Sequence, residues 1–248
     1  GSLPRISPRL GSFVRTNSEA LLAVRSRRAD VDYSKGLAIT SGALVDDTTH
    51  IEIVRYPAGS DSMSLLTTVL TDDGPGVPRW LRWMGNVARH PIRFARSLVP
   101  FGWAKRTAIL LVMQPVNSYL RYRLRRRWYW PFGKTLDTAV GDKPVPVYLP
   151  IANQVARRMA EKMDGVPQSG LIEVLFHKAS TAHILGGCPI GMTPEDGAVD
   201  PSGKLFGYDR LYVVDGSIVP ANLGVNPSLT ITALAEHVMA EVPEKGAA

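Results

Sequence analysis

The sequence predicts a mixed α/β fold of the α+β kind, an antiparallel sheet carrying helices, followed near the carboxyl end by a strand, a turn and a helix. Three observations predict it. Across residues 35–71, short apolar stretches alternate with turn residues, the pattern of antiparallel strands. Around residues 79–98 and 151–163 the apolar positions recur every three or four residues, the helical period. Finally, Leu211-Tyr212-Val213-Val214 is a β-rich apolar run closed by Asp215-Gly216, and a helix start follows at Asn226-Pro227.

Composition bounds what such a fold can be. With 248 residues, 45% hydrophobic and 21% charged, the chain can bury a sizeable core in one or two domains. Its lone cysteine, Cys188, excludes an internal disulfide framework and fits a reducing compartment. No signal segment is visible and no apolar run approaches the roughly 20 residues of a membrane span. A cytoplasmic protein is expected, with peripheral membrane contact as the alternative. The formal charge of +7 is concentrated in residues 25–28, 79–106 and 121–127. Solvated element faces account for it, and attraction to an anionic, lipid-bearing surface is the functional alternative. No nucleic-acid-binding motif accompanies the charge, so no nucleic acid is expected.

Taken in order, residues 1–30 begin as though in mid-protein, with Pro4, Pro8 and Gly11 ahead of the apolar run 20–24. Strands are expected at 37–39, 43–45, 51–56 and 65–70, separated by Asp46-Asp47 and Pro57-Ala58-Gly59. After a Gly/Pro break at 74–78, Trp80, Leu81, Trp83, Met84, Val87 and Ala88 mark a helix that His90-Pro91 interrupts and residues 92–98 resume. Its apolar stripe reads as core, or alternatively as a lid meeting a membrane or a greasy substrate. Residues 109–116 read as a buried strand and 119–128 as a strand with arginines outward, both extending the sheet. Ile151, Val155, Met159 and Met163 predict a helix closed by Gly165, and 171–176 leads into the run at His183.

Chemistry concentrates after residue 182. His183 lies beside Gly186, Gly187 and Gly191, where missing side chains let backbone approach a ligand. Asn226 reads as an N-cap with Pro227 in the first helical position, and the helix start would offer N–H groups and a positive dipole end to an anionic ligand. The loop at the carboxyl end of a strand is where α/β folds hold ligands. Cys188 reads as a small buried residue, since no activating histidine motif surrounds it. His50, His90, His177 and His237 receive no role.

Three linked blocks, HILGGCPIG at 183–191, LYVVDGSIVP at 211–220 and GVNPSLTITALAE at 224–236, resemble the carboxyl-terminal end of the glucose-methanol-choline (GMC) oxidoreductases, and within them the cholesterol oxidase-like branch. The resemblance implies FAD as cofactor and a sterol or other hydrophobic alcohol as substrate, oxidised to a ketone. It divides the chain into 1–30 as the end of a flavin-domain segment or a linker, 31–178 as substrate domain, and 179–248 as the last part of a Rossmann-like FAD domain. No G-x-G-x-x-G pattern occurs, so the amino-terminal FAD-binding half is expected from elsewhere. By resemblance His183 and Asn226 hold the substrate oxygen, and Asp215, Gly216, Asn226, Pro227 and Ser228 contact the flavin. EIVRYPAG at 52–59 resembles the family segment whose glutamate, here Glu52, shifts a proton to isomerise a steroid double bond. Arg55 and Tyr56 depart from the apolar residues of that segment, and Arg55 is placed to pair with Glu52. The alternatives are a non-sterol alcohol as substrate, a non-catalytic fragment, or a lipid- or membrane-surface-binding remnant.

Overall fold

The structure, a computed structural model, describes residues 3–244. In chain order the strands are β1 (Ala20–Ser26), β2 (Ile39–Leu44), β3 (His50–Val54), β4 (Thr67–Val69), β5 (Thr107–Met113), β6 (Leu120–Arg127), β7 (Trp130–Val140) and β8 (Gly165–Gly170). The helices are α1 (Arg79–Arg89), α2 (Pro91–Ser97), α3 (Trp103–Arg106), α4 (Pro150–Lys162), α5 (Leu171–Phe176) and α6 (Ser228–Glu241). Contacts divide these into two compact units: residues 19–114 with 146–181, and residues 3–18 with 115–145 and 182–244.

The first unit is built on a six-stranded sheet of order β2-β3-β5-β1-β8-β4, antiparallel throughout. The stretches expected as separate strands at 37–39 and 43–45 form the single strand β2. Asp46 shapes the turn into β3, its Oδ1 accepting from the Thr48 and Thr49 N–H groups at 2.9 and 2.7 Å. Strand alternation sorts the side chains. Ala20, Leu22, Val24, Ile51, Leu110 and Val112 face α4, while Ala23, Ile109, Val54 and Tyr56 gather with Trp103 in a second cluster.

Helix α4 sits close to the sheet because Ala152, Ala156 and Ala160, four residues apart, supply a row of small side chains, all buried. The predicted row of Ile151, Val155, Met159 and Met163 flanks that contact and is only partly buried. Asp164, at φ +43°, makes the left-handed exit instead of the expected Gly165. Gly165 opens β8, where a Cβ would lie 3.0 Å from the Arg25 carbonyl oxygen.

Helices α1 and α2 break at His90-Pro91 as expected, but their apolar stripe is not core. Trp80, Met84, Ile92 and Leu98 are all exposed, whereas Arg79 is buried. The reason is the edge of the sheet. β4 is an edge strand, and the backbone leaving it needs hydrogen-bond donors. Arg79 Nε and Nη2 donate to the Thr71 carbonyl at 3.1 and 3.0 Å, Asn86 Nδ2 donates to the Leu70 carbonyl at 3.2 Å, and Trp83 Nε1 donates to Thr68 Oγ1 at 2.8 Å. The face of α1 that carries Arg79, Trp83 and Asn86 therefore docks, and Trp80, Leu81 and Met84 turn outward.

In the second unit β5 has no continuation. β6 does not extend the six-stranded sheet but pairs with β7 in a two-stranded antiparallel ribbon. Arg121, Arg123 and Arg125 occupy one face of β6 and Leu120, Tyr122 and Leu124 the other, where Tyr122 and Leu124 line a surface cleft, and Trp128 at the tip is exposed. The core of this unit is Cys188, Ala198, Val199, Leu205, Ile218 and Val238. Residues 211–214, expected as a buried strand, form an irregular segment. Leu205 N–H donates to the Leu211 carbonyl at 2.8 Å and Val213 N–H to the Gly203 carbonyl at 2.9 Å, with Leu211 and Val214 exposed. Only the 203–205 side of this run carries backbone pairing among the described residues, too little to make a strand.

Candidate active site

The histidine block and the Asp215-Gly216 turn are stitched together by backbone. Gly186 N–H donates to the Gly216 carbonyl at 3.0 Å and Cys188 N–H to the Ser217 carbonyl at 2.9 Å. Asp215 caps the short helical turn Gly216–Ile218, its Oδ1 accepting from Ser217 N–H at 2.7 Å. A Cβ on Gly216 would lie 3.2 Å from Ile231 Cδ1, so the first turn of α6 rests against the same turn. The three blocks of the sequence thus meet inside one unit. The glycines also serve this assembly. Gly186, at φ +67°, would place a Cβ 2.1 Å from the Phe13 carbonyl oxygen, and Gly191 one 2.4 Å from the Gly197 nitrogen.

Hydrogen bonding of α6 begins at Ser228 with Pro227 in the cap position, one residue later than predicted. Pro227 already has φ −85° and ψ −3°, so the shift lies within the ambiguity of a first turn. Pro227 is buried, Ser228 exposed, and Asn226 and His183 partly buried. An open cleft of about 1060 Å³ lies beside the stitched backbone, lined by Ile184, Gly186, Gly187, Asp215, Gly216 and Ser217 together with Leu211 and Val213. His183, Asn226, Pro227 and Ser228 are not among its lining residues. Apolar side chains against ring faces and open backbone at a polar edge suit the ring portion of a flavin, the group that the resemblance implies.

Asn222, unremarked in the sequence, fixes the loop that carries Asn226. It is 6% exposed. Its Oδ1 accepts from the Thr16 and Asn17 N–H groups at 3.2 and 3.0 Å, and its Nδ2 donates to the carbonyls of Val116 and Ser118. Asn17, at φ +57°, continues the network, accepting from Gly224 N–H at 2.6 Å and donating to the Val225 carbonyl at 2.8 Å. A sequence signal existed in the left-handed preference of asparagine at Asn17, but nothing in the sequence announces its partner. Arg15 adds to the support, donating from Nη1 to Asn117 Oδ1 at 2.8 Å, and burial lowers its pKa.

Glu52 belongs to the other unit. It lies in β3, 6% exposed, opposite Gly42 on β2 and Leu111 on β5. His50, two residues earlier on the same strand face, brings Nε2 to 3.9 Å from Glu52 Oε1. This neighbour was missed in the sequence, and Gly42 makes room for it, since a Cβ there would lie 2.6 Å from His50 Nε2. The expected pairing of Arg55 with Glu52 does not form. Arg55 donates to the Lys35 carbonyl at 2.6 Å and to Thr40 Oγ1 at 2.9 Å. Three residues apart on an extended chain, the two side chains leave opposite faces.

A second carboxylate of that unit also escaped the sequence reading. Glu173 is 2% exposed, with Oε2 4.0 Å from Arg79 Nη1 and Oε1 without a hydrogen-bond partner. Burial pushes its carboxyl up to about 7 against the opposing effect of Arg79. Cys188 is buried as expected, and burial with the nearby Asp215 charge pushes its thiol up to about 11, away from nucleophilic use. Among the described residues no cluster of His, Cys, Asp and Glu could hold a metal ion, and no helix is long and apolar enough to cross a membrane.

Residues 142–235 match the family model of the GMC oxidoreductases. The particular likeness is to cholesterol oxidases. That of Acinetobacter baumannii is 48% identical over 245 residues, covering 99% of this chain and 44% of that protein. That of Mycobacterium tuberculosis strain H37Rv is 43% identical over 257 residues, covering 99% and 43%. The chain therefore spans less than half the length of these relatives. Among solved structures, pyridoxine 4-oxidase from Mesorbium loti aligns with TM-score 0.47 and 15% identity, covering 95% of this chain and 44% of that one.

Proposed function

We propose that this chain forms the carboxyl-terminal part of an FAD-dependent oxidoreductase that converts a hydrophobic, sterol-like alcohol to a ketone. The single observation that carries the reading is the backbone union of the histidine block, the Asp215-Gly216 turn and the start of α6. FAD bound there supplies the acceptor for the hydride that leaves the alcohol carbon. His183 and Asn226 hold the substrate oxygen, His183 taking the hydroxyl proton as the carbonyl forms. Asp215 and Gly216 would contact the ring from the cleft wall and Pro227 and Ser228 from the amino end of α6, whose positive dipole end would favour negative charge there. Glu52 is the base for a following double-bond shift, and its burial beside His50 supports a role other than a solvated face residue.

The dinucleotide portion is held, on this reading, by residues corresponding to the amino-terminal half of the relatives. A flavin titration of the chain, alone and with the amino-terminal half of the Acinetobacter baumannii cholesterol oxidase, tests this. Stoichiometric FAD binding and sterol-dependent bleaching of flavin absorbance are expected only with the added half. Failure of the mixture to bind flavin, with both pieces folded, would sink the reading.

Peripheral membrane contact has its own support in the exposed Trp80, Met84, Ile92 and Phe101 interspersed with Arg82, Arg89, Arg93 and Arg96. Co-sedimentation with vesicles should be stronger for anionic than for neutral lipid and should weaken with salt. Equal sedimentation with both, unaffected by salt, removes the electrostatic part of the idea.

A further inference from the structure

On the six-stranded sheet, register sets Arg25 of β1 opposite Val166 of β8 and Ala23 opposite Gln168, so these four side chains share the face that carries Trp103. Arg93 and Arg96 reach the same place from α2, one turn apart, and Arg106 from the end of α3. Together with Arg27 they line an open pocket of about 320 Å³. Among the described residues no carboxylate lines it.

Five guanidinium groups gathered in this way repel one another. Burial, and then the charge of Arg106, lower the pKa of Arg25 against the attraction of Asp61. Compensation from within the fold is partial. Asp164 pairs with Arg27 at 2.9 Å, but Asp61 is spent on the Gly102 and Ala104 N–H groups at 2.8 and 2.9 Å. Arg25 donates to the neutral carbonyls of Arg96, Val99 and Phe101, and Arg106 to those of Gly102 and Phe101. These bonds hold the two side chains in place and leave their charge unmatched. Among the described residues the guanidinium groups of Arg93 and Arg96 make no ion pair or hydrogen bond. Gln168, 1% exposed, lines the same space, and its Oε1 has no hydrogen-bond partner.

We propose that this pocket binds the phosphoryl group of a phosphate monoester, with Arg93 and Arg96 closing on its oxygens over a floor of Arg25, Arg106 and Gln168. A phosphoryl dianion has three free oxygens and engages several guanidinium forks at once, which the single edge of a carboxylate does not. Gln168 Oε1 would accept from a hydroxyl of the ligand or from a protonated phosphoryl oxygen. Two sources carry this chemistry, a soluble ester and a lipid headgroup. The exposed Val99 in the wall, with Leu98 and Phe101 alongside it in the chain, suits the second. The lipid source rests on the membrane-contact reading, and the soluble source on no part of the proposed function.

The test uses the full chain at physiological salt. Glycerol 3-phosphate is titrated calorimetrically, and sedimentation is compared for phosphatidylcholine vesicles carrying phosphatidic acid or phosphatidylserine at matched surface charge. Saturable binding of glycerol 3-phosphate is expected, which assigns a soluble ester, or else a preference for phosphatidic acid alone, which assigns the headgroup. Arg93→Gln/Arg96→Gln should weaken whichever is seen by about tenfold or more, the worth of hydrogen bonds to a charged group. Arg125→Gln/Arg126→Gln, which removes the same charge from β6, should leave it unchanged. Should the first pair fail to fold, Arg96→Gln alone carries the same comparison. Neither binding nor preference in the wild type overturns the proposal, as does an equal loss in the two double variants, which would reduce the effect to net charge. Salt-dependent vesicle binding with neither result leaves the membrane-contact reading standing and overturns this one.

Discussion

His183→Ala, in the enzyme reconstituted with its amino-terminal half, is expected to lower alcohol oxidation by about 10²–10⁴-fold, the usual contribution of a positioned acid or base. Flavin binding should be nearly unaffected. The block that carries His183 is held to the Asp215-Gly216 turn by the backbone of Gly186 and Cys188, which the substitution leaves intact. The loss should also fall on turnover more than on apparent affinity if, as proposed, His183 takes the proton that moves in the reaction. Steady-state kinetics with parallel flavin titration measure both. Unchanged turnover in a flavin-loaded variant would remove His183 from the chemistry and favour a binding role for the chain.

Glu173→Gln is expected to stabilise the chain at pH 8 and to do nothing at pH 4. Burial raises the carboxyl from an ordinary 4.5 to about 7, so the fold favours the neutral form. The advantage of that form is present in full below the unfolded value and is lost as pH rises through about 7. Above it the wild type carries an ionised, buried carboxylate, which a gap of this size makes costly by about 3 kcal/mol. Glutamine has no such charge. Urea unfolding at the two pH values measures the difference, which should shrink between pH 7 and pH 4.5. A Gln variant less stable than wild type at pH 8 would mean that the attraction to Arg79 outweighs desolvation. That contest is close in principle, since removing one partner of a buried pair is often severe, but 4.0 Å separates the charges and Arg79 spends two of its nitrogens on Thr71.

The parts of this molecule legible in the sequence were those whose signal is local. The turn at Asp46, the break at His90-Pro91, the turn at Asp215-Gly216 and the helix near Asn226 each depend on a few neighbouring residues. The same is true of the linked motif blocks, which are runs of consecutive residues and which the fold brings together. What failed depended on partners far away in the chain. The stripe on α1 has a helical period, but whether that stripe or Arg79 faces inward was decided by carbonyls leaving β4. Residues 211–214 have the composition of a buried strand and lack the neighbours to become one. Asn222 and Glu173 are ordinary in sequence, and their importance lies in which groups the fold brings to them or withholds from them.

Asn222 joins residues 16–17, 116–118 and its own loop within one side chain's reach, across separations of up to 206 positions. Residues 16–17 are made before the 19–114 stretch and can close that junction only once residue 222 has also been made. Contacts so distant in sequence repay their loop-closure entropy only at the end, the mark of slow, late-committing assembly. The sheet of the other unit has no such delay built into its hairpin, since β2 and β3 follow one another directly. The order of folding is therefore expected to run against the order of sequence: residues 3–18 precede the six-stranded sheet in the chain and settle after it.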